Sequence, residues 1–312
     1  MARNGTATME APTAAQARPT LDDLDLPIGK RVRLHRLLYE YGPGNGTLLV
    51  LPIDQGIEHG PVDFLSNPPS ANPEYQWRLA LEGGNSAIAC HWGMARQYMK
   101  KYAGKVPLIL KINGKTTIPD DAEAYSASTA TVEDAVSLGA DAVGYTLYVG
   151  SPRQDEDIAR LMDVRQACEL WSMPLVVWAY PRGAAIERKG GKDSLYAVDY
   201  AARLAHELGA DIIKLNVPKK GDKDGDMPKQ YQQIEWDYAS GAGRVIASAQ
   251  RSLVLFSGGS KISDDDLMDK ARTVMEQGAT GLIFGRNMWQ RPFDEALEMT
   301  GKIKDLLKKF PA

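Results

Sequence analysis

A chain of 312 residues, 44% hydrophobic and 25% charged, can bury a large core, and an α/β barrel of this length is commonly one domain. Its formal net charge of −3 argues against a protein held on nucleic acid by phosphate neutralisation, yet leaves small anionic substrates open. Two cysteines, Cys90 and Cys168, lack metal-ligand spacing, and no apolar run approaches a membrane span. The expectation is a cytoplasmic protein with ordinary buried thiols and with neither nucleic acid nor membrane as partner.

Residues 1–20 are rich in Ala, Thr and Pro but lack the apolar core of a secretory signal. A disordered tail is therefore expected over 1–28, ahead of a barrel domain at 29–312. The polar, Gly-rich entry 21–47 includes a short predicted helix around Gly29–Tyr41, placed across the barrel bottom. Short apolar runs then recur with helix-length segments between them: Leu48–Asp54, Ser86–His91, Pro107–Ile112, Asp141–Tyr148, Pro174–Tyr180, Asp211–Leu215, Leu253–Ser257 and Thr280–Gly285. Near-continuous apolar strands alternating with helices imply a parallel sheet covered on its outside, and eight such units close a (β/α)8 TIM barrel. An open doubly wound sheet is the alternative. Gly83-Gly84-Asn85, Gly139-Ala140-Asp141, Gly209-Ala210-Asp211 and Gly278-Ala279-Thr280 each precede a run. A glycine there ends a helix in the left-handed conformation that side chains resist, so these turns read as repeated βα units.

In such barrels chemistry sits at the C-terminal strand ends. The sixth run delivers Lys214 between Ile213 and Leu215. A partly desolvated lysine loses charge and can attack a carbonyl to form a Schiff base, whereas a lysine snorkelling into water is the equally weighted alternative. The third run ends Leu110-Lys111-Ile112-Asn113 and offers a competitor. The first closes Ile53-Asp54-Gln55-Gly56-Ile57-Glu58-His59. Asp54 is still attached to the strand and is preferred; Glu58 and His59 each read as solvated loop residues. Alternation puts Trp178 and Tyr180 on one face of the fifth strand, with Tyr180 able to move a proton. The seventh run closes Ser257-Gly258-Gly259-Ser260-Lys261 and the eighth Gly285-Arg286-Asn287. Loops in these two positions commonly bind phosphate through backbone N–H groups, with Lys261 and Arg286 supplying charge. Asp222-Lys223-Asp224-Gly225-Asp226 resembles part of a calcium loop, but Gln233 stands where its bidentate acid belongs. No histidine pair has zinc spacing, and neither a metal nor a cofactor is expected.

The pattern resembles the archaeal-type class I fructose-bisphosphate aldolases, which also occur in bacteria. The likeness runs in order from about residue 29 to 305, through Leu51–Pro61, Leu110–Lys115, Val143–Ser151, Val177–Gly183, the strand of Lys214, Ser257–Gly259 and Gly285–Asn287. It implies a sugar bisphosphate substrate, a Schiff base on Lys214 rather than Lys111, Asp54 near the reacting hydroxyl, and Trp178 and Tyr180 in substrate positioning and proton transfer. Lys111 and His59 then join Ser257, Gly258, Gly259, Lys261, Gly285 and Arg286 as substrate-binding residues, and a homo-oligomer is expected. The chain departs from the family where a glutamate should follow the strand-6 lysine: Val217-Pro218-Lys219-Lys220-Gly221-Asp222-Lys223-Asp224 has none. Either an aspartate substitutes or the acid comes from elsewhere, Glu187 being one candidate. The rival readings are a related Schiff-base synthase or thiolase of the aminodideoxyheptulosonate synthase type, a phosphosugar isomerase in which Lys214 supplies only charge, and a non-catalytic sugar-phosphate sensor.

Overall fold

The computed structural model describes residues 17–220 and 225–312. The tail residues 1–16 and the calcium-like motif Asp222–Asp224 lie outside them. Eight parallel strands form a closed barrel: β1 (Leu48–Ile53), β2 (Ala87–His91), β3 (Leu108–Lys111), β4 (Ala142–Val149), β5 (Leu175–Pro181), β6 (Ile212–Leu215), β7 (Leu253–Ser257) and β8 (Gly281–Ile283), with β8 paired to β1. Each predicted run holds one strand, and closure removes the doubly wound alternative. The strands are buried on both faces, which is why they read as apolar runs rather than as alternation. Helices such as Gln154–Leu170, Leu195–Glu207 and Asp264–Glu276 cover the outside. Ser194 and Ser263 begin the latter two by accepting backbone N–H groups that the first turn cannot pair. The junction glycines Gly84, Gly139, Gly209 and Gly278 all take positive φ, as the repeated turns require.

The segment before β1 forms a helix at Ile28–His35 that continues as a π-type turn over Arg36–Glu40. Leu34, Leu37 and Leu38 join one apolar cluster with Leu48, Ala87, Ala142 and Ile212, the inward residues at the strand starts, and so plug the N-terminal end. Three ion pairs fasten the plug. Lys30 Nζ lies 2.8 Å from Asp211 and 2.6 Å from Glu169, and Arg36 lies 3.0 Å from Asp141. Both aspartates end a Gly-Ala-Asp turn, so the repeat places an acid at the foot of β4 and of β6. Burial opposes the charge on Lys30, but Asp211 and Glu169 outweigh it and hold its pKa above the ordinary value.

The expected tail is corrected over its described part, 17–28. Leu21 is buried in a short 3-10 turn within the same cluster, and Arg18 donates to the Phe310 carbonyl at 2.8 Å. An apolar side chain that can reach the open barrel end gains more from burial than a loose strand gains in entropy.

Removing Lys30 leaves Asp211 buried without its cation. Lys30→Met should cost about 3 kcal/mol of stability, read as a lower urea midpoint, while the protein that remains folded keeps its activity.

Candidate active site

Three strands bring two lysines and two carboxylates together at the C-terminal mouth. Asp54 directly follows β1, and a single helical turn, Gln55–Glu58, comes next, its Glu58 N–H donating to the Asp54 carbonyl at 3.2 Å. β3 ends in Lys111, which is 0% exposed. Its ammonium donates to Asp54 Oδ2 at 2.9 Å and to Glu58 Oε1 at 2.7 Å. β6 carries Lys214, 7% exposed, with Nζ 4.2 Å from the Tyr180 ring centroid. Among the described residues no carboxylate lies within ion-pair distance of Lys214.

This unequal sharing sets the charge states. Burial, aided by the positive charges of Lys111 and Arg286, lowers the Lys214 pKa to about 8, with Asp54 and Glu58 opposing. About a tenth of the amines are then neutral at pH 7. Lys111 is driven the other way: burial would neutralise it, but Asp54 and Glu58 hold it protonated, above the usual lysine range. Burial would raise the Asp54 carboxyl, but Lys111 and Lys214 draw it down to about 2.

β5 supplies the aromatic wall. Trp178 is in register with Lys214 on one side and Thr146 on the other, and its ring lies 4.8 Å from Lys111 Nζ. The space for that ring comes from Gly144 on β4, where a Cβ would stand 2.8 Å from Trp178 Cζ3 and 3.1 Å from Lys111 Cγ. Tyr180 has Lys214 on its ring and the Arg182 guanidinium 5.1 Å away. His91, the last residue of β2, is buried beside Lys111, and burial and that lysine push its pKa to about 4, so the ring is neutral.

The loops after β7 and β8 make a small cradle. Gly259 has φ +66°, and a Cβ at Gly258 would lie 2.8 Å from Asn287 Nδ2. The buried Asn287 amide donates to the Gly258 and Ser260 carbonyls at 3.2 Å and accepts from Ile262 N–H at 3.0 Å, fixing the loop's shape. Ser257 Oγ donates to Asn216 Oδ1 at 2.6 Å. Gly285 is needed because a Cβ there would meet the Pro52 carbonyl at 3.1 Å. His59 Nδ1 donates to Asp63 at 2.6 Å, and Asp63 lies 3.9 Å from Arg286.

Asp54, Trp178, Tyr180, Lys214, His59, Ser257, Gly258, Gly259, Gly285 and Arg286 line one cleft of about 760 Å³. Two expected contacts do not. Lys111 is sealed behind the wall with its ammonium committed to carboxylates, so it holds charge rather than phosphate. Lys261 is exposed and donates to the Gln290 carbonyl at 3.2 Å, because Asn287 grips the backbone on either side of it and leaves its side chain facing outward. Glu187, offered as an acid, is also absent from the lining. The sequence reads Glu58 as a solvated loop acid and does not single out His91. Glu58 sits one turn beyond a strand end, and His91 closes a run as Lys111 does, which was the available signal.

The barrel thus presents a buried lysine of lowered pKa on its sixth strand, in one cleft with the glycine-rich loops after its seventh and eighth strands. The DeoC/LacD family aldolase model matches residues 48–291, and the chain belongs to that family. It is 40% identical over 263 residues to the class 1 fructose-bisphosphate aldolase of Thermoproteus tenax, spanning 84% of this chain and 90% of that one. The corresponding protein of Halobacterium salinarum is 37% identical over 251 residues, 79% of this chain and 86% of that one. A solved archaeal fructose-1,6-bisphosphate aldolase, with its catalytic lysine covalently bound to the carbinolamine intermediate of the substrate, superposes with a TM-score of 0.75 at 36% identity, covering 88% of this chain and 99% of that chain.

Gly144→Ala should crowd Trp178 and Lys111 together, lowering stability by about 1–3 kcal/mol. It should also reduce kcat more than the same change at the solvent-facing Gly93, where a Cβ meets nothing within 4 Å; comparative denaturation and steady-state kinetics measure both.

Proposed function

We propose that this protein is a class I fructose-bisphosphate aldolase that cleaves fructose 1,6-bisphosphate reversibly to dihydroxyacetone phosphate and glyceraldehyde 3-phosphate through an imine on Lys214. The observation that carries the reading is the division of labour between two buried lysines: one keeps both carboxylates, and the other is left with a pKa near 8 at the cleft wall. A neutral amine attacks C2, and loss of water leaves an iminium that draws electrons from the C3–C4 bond. Tyr180 takes the C4 hydroxyl proton as the bond breaks, with Asp54 as the fixed negative charge beside it. Glyceraldehyde 3-phosphate departs, the enamine is reprotonated at C3, and water releases dihydroxyacetone phosphate. Trp178 shapes the wall against which the substrate carbons lie.

One phosphate sits on Ser257, Gly258, Gly259, Gly285 and Arg286, where backbone N–H groups and a guanidinium meet. The opposite wall offers Arg182, Lys219 and Lys220 for the second, with His59 beside the first. The protein works in the cytoplasm as a homo-oligomer. Among the described residues no helix is long and apolar enough to cross a membrane.

Borohydride reduction with dihydroxyacetone phosphate, in EDTA, should leave a three-carbon phosphate adduct on Lys214 in peptide mass spectra. No adduct, or one confined to Lys111, would return the chain to the isomerase reading. Because free Lys214 must be neutral to attack, kcat/KM should rise with pH and level off above about 8. Lys111→Met removes a positive neighbour and frees both carboxylates to favour the Lys214 ammonium, so the rising limb should move to higher pH.

A further inference from the structure

An imine cannot form from lysine and ketone unless protons move between the nitrogen and the oxygen that leaves as water. Four carboxylates line the cleft among the described residues: Asp54, Glu58, Asp193 and Asp237. Three are committed. Asp193 accepts from Asn216 on one oxygen and from Lys219 on the other, at 3.1 Å each. Asp237 caps the helix Tyr238–Ser248 by accepting from Ser240 N–H at 2.8 Å. Asp54 is 3% exposed and held at about 2 by the lysines, so it keeps its charge and takes up a proton poorly. Glu58 differs: its side chain is 14% exposed against 3% for Asp54, and Lys111 occupies only its Oε1, at 2.7 Å. It lines the same cleft as Lys214, and its charge acts on that lysine.

We propose that Glu58 is the catalytic acid and base of imine formation and hydrolysis, carrying protons between Lys214 and the C2 oxygen while Asp54 stays as the fixed counter-charge. This rests on the Schiff-base reading above. Glu58 takes one proton from the Lys214 ammonium and becomes a neutral acid. The amine lone pair forms the C2–N bond as the carbonyl π pair moves to oxygen. One of the two protons on nitrogen passes to that oxygen, giving the neutral carbinolamine. Glu58 then returns its proton to the C2 hydroxyl, the C–O bond breaks with its electron pair leaving on water, and the nitrogen lone pair completes the iminium. An ammonium and a ketone have become an iminium and water, and the carboxylate is restored. Lys111 keeps the carboxylate aimed throughout.

The test is time-resolved borohydride quenching of the full-length protein mixed with dihydroxyacetone phosphate, with the Lys214 adduct counted by mass. Glu58→Gln should form the adduct about 100-fold more slowly, with KM for fructose 1,6-bisphosphate within about threefold of wild type and kcat falling in parallel; Glu58→Asp should recover part of the rate. If Glu58 merely neutralised Lys111, the double variant Lys111→Met/Glu58→Gln would trap as fast as Lys111→Met alone, both read on the high-pH plateau where Lys214 is neutral. A double variant slower than Lys111→Met supports the proton-carrying role. Wild-type trapping in Glu58→Gln, or a double variant as fast as Lys111→Met, overturns it. Wild-type protein run alongside separates the two readings, since a wild type that traps nothing rejects the aldolase itself.

Discussion

Two lysines and two carboxylates share the mouth of one apolar barrel, and both carboxylates go to the same lysine. That allocation is the constraint on which the site turns. A buried ammonium is tolerated only with partners, so Lys111 holds Asp54 and Glu58 and stays charged. Lys214, unpaired among the described residues, bears the desolvation penalty instead and becomes a usable nucleophile near neutrality. Were the carboxylates divided evenly, both lysines would be protonated and inert toward a carbonyl. The cation of Lys111 therefore acts at a distance: it anchors the acids, and its own field disfavours a second charge nearby.

Such an arrangement needs a rigid frame, and the two ends of the barrel supply it differently. At the bottom, basic residues of the first helix reach the aspartates that open β4 and β6, so that the strand carrying Lys214 is fastened three residues before the amine. At the top, shape is set by residues with little reach: Gly144 admits the Trp178 ring, Gly285 lets the β8 loop approach Pro52, and Asn287 fixes the anion loop through its amide. Ion pairs fasten the bottom, and glycines and one amide shape the mouth around its charged side chains.

Much of this was legible before any coordinates. Strands buried on both faces must be continuously apolar, so each run marked a strand to within about two residues, and the positive φ of Gly139 or Gly209 is a property of glycine rather than of context. Asking what closes each run singles out Lys214, Asp54, Tyr180 and the Ser257–Gly259 loop, all of which line the one cleft. Glu58, Lys111 and Lys261 differ from the sequence expectation, and His91 draws no expectation, for one shared reason: a residue's chemistry there depends on neighbours from other strands. Glu58 looks like a solvated loop acid until β3 brings Lys111 within 2.7 Å. Lys261 looks like a phosphate ligand until Asn287, 26 positions on, turns its backbone away.

Periodicity and composition by themselves determined the eight-unit barrel, its repeated turns and the strand ends where chemistry could lie, because burial pattern and backbone strain are local consequences of residue type. Only the closed barrel decided which lysine keeps the carboxylates, which one has its pKa lowered and which glycines make room for a ring. Those depend on distances of a few ångströms between strands far apart in the chain, and electrostatic and steric energies change steeply over that range.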